Sequence, residues 1–117
     1  MKKYIIGIVG PCKSGKTTLK RGLEQHGYNI KHIAQEHSYV KDMWRKIANP
    51  DILVFLDVSF EATLLRSNLS WTFSEYQTQL GRLSHARQHA DIFVQTDEKT
   101  PEDILEEVLA SLETELL

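Results

Sequence analysis

The chain has 117 residues, 41% of them hydrophobic and 26% charged, so it has room for one globular domain with a single core and not for a second. A formal net charge of −2 supplies no basic field, which argues against nucleic acid or an anionic membrane surface as partner. The lone cysteine, Cys12, rules out an internal disulfide and a cysteine-rich zinc site, which fits a reducing compartment.

The chain opens Met1-Lys2-Lys3, and residues 4–9 then form a short apolar run rich in β-branched side chains. The run lacks a small-residue cleavage site, and no stretch approaches the roughly 20 apolar residues of a membrane span, so a cytoplasmic location is expected. Bounded by charge and a glycine turn, residues 4–9 read as a strand buried on both faces. Residues 16–26 read as a helix, with Leu19 and Leu23 on one face and Gly27 as its stop. Residues 29–34 are a weaker strand. Ser38 is placed to cap a helix over 38–48 carrying Val40, Met43, Trp44 and Ile47 on one face, ended by Asn49-Pro50.

Residues 52–56 form a second apolar strand, closed by Asp57. Ser59 is a candidate cap for a helix over 60–68. Thr72 or Ser74 starts another that runs to His89, with Tyr76, Leu80, Leu83 and Ala90 at helical spacing. Residues 92–94 make a last short strand. Pro101 opens an amphipathic helix whose stripe is Ile104, Leu105, Val108, Leu109, Leu112 and Leu116. Without repeats or a linker, this order predicts one α/β domain over 1–117, a three-layer αβα arrangement with a mainly parallel sheet of about four strands. The long stripe on the last helix leaves surface for a partner, a second copy of the chain among the candidates.

Between the first strand and first helix stands Gly10-Pro11-Cys12-Lys13-Ser14-Gly15-Lys16-Thr17. At ordinary residue frequencies Gly-x4-Gly-Lys-Thr arises by chance in roughly a few chains per thousand of this length. Here it also has the strand before it and the helix after it that its chemistry needs. Gly10 and Gly15 let successive N–H groups turn inward as a nest for phosphate oxygens, and the helix adds its positive end. The pattern is the Walker A motif and resembles the P-loop NTPases. It implies ATP with Mg²⁺, held by residues 10–18. Lys16, read as lying outside the core, reaches the β- and γ-phosphates, Thr17 ligates the metal, and Thr18 contacts the α-phosphate. Cys12 beside Lys13 and Lys16 has surroundings that favour a thiolate, but the loop accepts many residue types at its position, so catalysis by the thiol is not expected.

Further along, Asn49-Pro50-Asp51 leading into 52–56 and Asp57-Val58, with Glu61 and Arg66 after it, resembles the nucleoside and nucleotide kinase superfamily. Gln35-Glu36-His37-Ser38 is similar to the Glu-Arg-Ser element of the deoxynucleoside kinases, with His37 in place of the arginine. Residues 90–97 and 100–103 look like the last strand and final helix of that group. The resemblance implies a small kinase that moves the γ-phosphate of ATP to a small acceptor such as a nucleoside or nucleotide. Only residues 23–35 separate Gly22 from Glu36, where such kinases carry another strand and a longer acceptor-binding region, so the chain looks like a reduced member. The other reading is a nucleotide-binding or slowly hydrolysing protein that acts as a switch or subunit. A guanine-specific Asn-Lys-x-Asp motif is absent, which disfavours GTP.

Two carboxylates compete for the base or metal role, Glu36 and Asp57, each closing an expected strand. Asp57 follows an apolar run in the generic manner of such NTPases, whereas the kinase resemblance assigns the chemistry to Glu36, which is preferred. Arg66, Arg82 and Arg87, with Lys13, are candidate cations over the phosphates, the stretch 67–89 holding the lid position and Arg82 or Arg87 favoured. His85 and His89 have metal-like spacing without an evident third ligand, so a structural role is expected. Trp71, Phe73 and Tyr76 are read as core packing ahead of base stacking.

Overall fold

The computed structural model describes residues 4–66 and 70–116. In chain order the elements are β1 (Ile5–Val9), α1 (Lys16–Gln25), β2 (Asn29–His32), a 3₁₀ turn (Gln35–His37), α2 (Met43–Ile47), β3 (Ile52–Asp57), α3 (Phe60–Arg66), α4 (Phe73–His89), β4 (Ile92–Gln95) and α5 (Pro101–Glu115). The four strands form one sheet in the order β2-β1-β3-β4, and every pairing is parallel. Ile6 is opposite Ile30 on one side and Ile52 on the other, while Phe55 is opposite Phe93. The two central strands are the two continuous apolar runs. A strand paired on both sides and covered on both faces has no position left for a polar residue.

Each face of the sheet carries its own core. On one, Ile6, Ile8, Val54, Leu56 and Val94 pack with Leu19 and Leu23 of α1 and with Ile104, Val108 and Leu112 of α5. On the other, Leu53, Phe55 and Val9 meet Trp44 of α2 and Leu83 and Ala86 of α4. Both long C-terminal helices begin with a capping box. Thr72 with Glu75 opens α4, and Thr100 with Asp103 opens α5 beside Pro101. Ser59 Oγ accepts from Ala62 N (3.1 Å), as expected for the start of α3. The expected end of that helix near Asn68 lies outside the described residues. Among the described residues, no helix is long and apolar enough to cross a membrane.

One expected element is different. In place of a helix over 38–48 there is the 3₁₀ turn, an extended Ser38, and a helix of only Met43–Ile47. Ser38 does not cap a helix: its Oγ accepts from Val40 N (3.0 Å), closing a local turn that competes with helix geometry. Of the apolar stripe expected there, Trp44 is buried, whereas Val40 and Ile47 face solvent.

Candidate functional site

The loop of residues 10–17 leaves the C-terminal end of β1 and folds over the end of β3. A Cβ at Gly10 would lie 2.3 Å from the Leu56 carbonyl oxygen, so only glycine lets the loop approach this closely. Gly15, at φ 100°, is the left-handed residue that turns the chain into α1. No side-chain hydrogen bond caps α1 and no acidic residue occupies its first turn, and its first three residues, Lys16, Thr17 and Thr18, line the cleft.

Lys16, the first residue of that helix, folds back under the loop. Its Nζ donates to the carbonyls of Gly10 (2.7 Å) and Pro11 (2.8 Å) and lies 3.0 Å from Glu36 Oε2. With 6% of its surface exposed, Lys16 belongs to the interior, contrary to its expected place outside the core. A buried ammonium needs such partners, and the loop carbonyls and one carboxylate supply them. Thr17 and Thr18, one and two residues on, are exposed at the cleft. The cleft holds about 400 Å³ and is lined by Cys12, Lys13, Gly15, Lys16, Thr17, Thr18, His32 and Glu36.

Glu36 sits in the 3₁₀ turn beyond β2 rather than at the end of the strand itself. Its neighbour Gln35 fixes it there. That fully buried amide donates through Nε2 to the carbonyls of Val40 (2.8 Å) and Arg82 (3.2 Å) and accepts through Oε1 from Trp44 N (2.8 Å). Buried polar atoms are normally paired, yet among the described residues Glu36 Oε1, at the cleft, and Ser14 Oγ, inside the loop, have no hydrogen-bond partner. Asp57 lies elsewhere. It is half-buried at the end of β3, and burial pushes its carboxyl above the ordinary range, opposed by the Arg87 charge and the Val58 N–H.

The cations separate in the same way. Arg66 Nη1 donates to the Lys13 carbonyl (2.9 Å) and to Thr96 Oγ1 (3.0 Å), tying the loop to the end of β4. Arg82 Nη1 reaches the Glu36 carbonyl (3.3 Å), and its guanidinium lies over the Tyr39 ring. Arg87 instead covers Phe93, and its charge acts on Asp57. His85 accepts from Trp44 Nε1 at Nδ1 (3.1 Å), and the rings of His85 and His89 lie 4.3 Å apart, which is a packing arrangement. Tyr76 donates to the Val58 carbonyl (2.6 Å) and is buried, and Phe60, Phe73 and Trp71 pack against its ring. Phe73 is half exposed, so the cluster is a surface aromatic group around one buried ring, and the expected core packing holds for Tyr76 alone.

Three contributors escaped the sequence reading. Gln79 of α4 clamps the loop: Cys12 N donates to its Oε1 (3.0 Å), and its Nε2 donates to Cys12 Sγ (3.1 Å). The available signal was a glutamine at helical spacing between Tyr76 and Leu83. Gln35 is the second. His32 is the third: it lines the cleft, where burial first and then the Lys16 charge lower its pKa. No known protein family matches the chain, and no curated protein matches it either.

Proposed function

We propose that residues 10–18 bind the triphosphate of ATP and that the protein is a small kinase of the P-loop type, reduced to four strands. The observation that carries this reading is the Lys16–Glu36 pair, buried at the first turn of α1 beside a cleft lined by both residues, with one Glu36 carboxylate oxygen left without a partner among the described residues. A buried carboxylate oxygen left without a partner fits the counter-cation that a polyanion in the cleft would bring. The strand order supports the reading as well: the loop joins a central strand to a helix at the carboxyl end of a parallel sheet, where ligands of such sheets bind.

In this reading the loop N–H groups and the α1 terminus hold phosphate oxygens, and Lys16 exchanges its loop carbonyls for the β- and γ-phosphates. The Thr17 hydroxyl would hold Mg²⁺, which neutralises charge on the phosphates. Glu36 accepts the proton of the acceptor hydroxyl, at the oxygen that now lacks a partner. Arg66 and Arg82, each hydrogen-bonded to this layer, supply further positive charge. A cytoplasmic location accompanies the reading, since one free thiol and an ATP site both suit that compartment.

One observation favours a second reading, a nucleotide switch or slow NTPase. Between α1 and Glu36 the described chain holds only β2 and its flanking turns, which leaves little structure to recognise an acceptor. Incubation with ATP, Mg²⁺ and a panel of nucleosides, nucleotides and small metabolites, following ADP release, separates the two. Turnover that depends on an acceptor supports the kinase. Slow release indifferent to every acceptor moves the protein to the switch. Absence of ATP binding removes both.

A further inference from the structure

Three metal-ligating side chains from two separate segments converge at one side of the cleft. Cys12 Sγ, a Glu36 carboxylate oxygen and a His37 ring nitrogen all lie within 4.8 Å of one another. Cys12 Sγ is 3.7 Å from His37 Nε2, which is 3.9 Å from Glu36 Oε2. Tetrahedral zinc, with bonds of about 2.3 Å to sulfur and about 2.0 Å to nitrogen or oxygen, holds neighbouring ligand atoms roughly 3.3–3.6 Å apart. The Cys12–His37 spacing is already within a few tenths of an ångström of this, and the carboxylate oxygen must close by up to about 1.5 Å.

The carboxylate points to a ligand independently of the cysteine. Glu36 is 4% exposed and its Oε1 has no partner among the described residues, while Oε2 already serves one cation, Lys16. Gln79 Nε2 donates to Cys12 Sγ (3.1 Å) and holds the sulfur on the His37 side of the loop. The His37 side chain is 60% exposed, which leaves an open side for entry and for a bound water.

We propose that Cys12, Glu36 and His37 form a three-ligand site for a thiolate-preferring divalent cation of the zinc class, with water as fourth ligand. Binding releases the Cys12 thiol proton to solvent as sulfur coordinates. Mg²⁺, which selects oxygen ligands, is not the cation of this site. The proposal does not depend on the nucleotide reading, because none of its geometry involves a phosphate.

The test uses the full chain without nucleotide. Titration with Co²⁺ should produce a near-ultraviolet thiolate-to-cobalt charge-transfer band that saturates at equimolar metal, and Zn²⁺ should displace the cobalt and bleach the band. Cys12→Ser should abolish the band, and Cys12→Ser, His37→Ala and Glu36→Gln should each weaken Zn²⁺ binding at least about tenfold. His85→Ala, at the other histidine pair, should leave Zn²⁺ affinity unchanged. Absence of the band at saturating Co²⁺ in the wild-type chain overturns the proposal without recourse to any variant. So does wild-type Zn²⁺ affinity in Cys12→Ser, or a loss confined to His85→Ala.

Discussion

Lys16 Nζ and Glu36 Oε2 lie 3.0 Å apart with about a twentieth of either side chain exposed, so neither charge can be removed without stranding the other. Breaking a buried pair from one side costs about 3–5 kcal/mol, whereas neutralising both sides costs much less. Lys16→Met should therefore lower unfolding stability by an amount of that order, and adding Glu36→Gln should restore much of it. Urea titrations of both single variants and the double test this. Equal losses that simply add would show that the two side chains do not depend on each other. Under the proposed function, the folded Lys16→Met protein also binds ATP at least about tenfold more weakly, or about 1.4 kcal/mol.

Thr17→Ala removes a hydroxyl and leaves the backbone of the loop in place. Calorimetry should find ATP binding retained within about threefold without metal, together with loss of the gain that Mg²⁺ gives the wild-type protein. An undiminished Mg²⁺ effect would take Thr17 out of the metal's coordination.

The two carboxylates should part company in both rate and stability. Glu36→Gln keeps the size of the side chain and should cut turnover by about 10²- to 10⁴-fold at saturating ATP, with Asp57→Asn costing less than about tenfold. Burial holds the Asp57 carboxyl above its ordinary range, so the folded state keeps its proton to higher pH than the unfolded chain does. Stability therefore falls as pH rises between those two values, and neutral Asn removes the fall. Asp57→Asn should accordingly raise Tm at pH 7 and not at pH 3. The opposite ranking of rates would transfer the chemistry to Asp57.

His32 reports on charge in the cleft. Burial and then Lys16 lower its pKa, so below the ordinary value of about 6.5 the unfolded chain binds the proton more readily. Stability should rise with pH from the folded pKa up to about 6.5, and His32→Gln should flatten that slope. A polyanion in the cleft has the reverse effect on the ring. NMR titration should show the His32 pKa moving upward with ATP, and also upward in Lys16→Met, where the larger of the two depressing charges is gone.

Gly10→Ala places a methyl group against the Leu56 carbonyl, and backbone cannot rotate away as a side chain can. The loop must lift off β3. We expect a loss of about 1–3 kcal/mol in stability and an ATP affinity below detection in the folded fraction. Near wild-type values for both would mean that the close approach is not required.

The elements that sequence reveals best are those whose signal is self-contained. Residues 5–9 and 52–56 are apolar without interruption because the sheet covers them on every side, and α5 announces itself through Pro101 and a regular stripe. Residues 38–48 mislead because their helical spacing is real but local. What decides their shape is an amide from outside the segment, Gln35, which accepts from Trp44 N and starts the helix late. The site divides in the same way. Residues 10–17 are legible from spacing alone, and Glu36 from its place after a strand. The burial of Lys16 and the clamp by Gln79 depend on partners up to 67 positions away, which no periodicity encodes.

Gln35 has a wider consequence. Its two donor bonds and one acceptor bond use both ends of the side chain, a combination that Glu, lacking donors, and Lys or Arg, lacking an acceptor, cannot reproduce. The group that sets the position of Glu36 and His37 thus carries no charge and does not titrate. Protonation at His32 changes the potential inside the cleft without loosening the peg that aligns its walls. The protein keeps its electrostatic adjustment and its mechanical alignment on separate residues, so selection can retune one without disturbing the other.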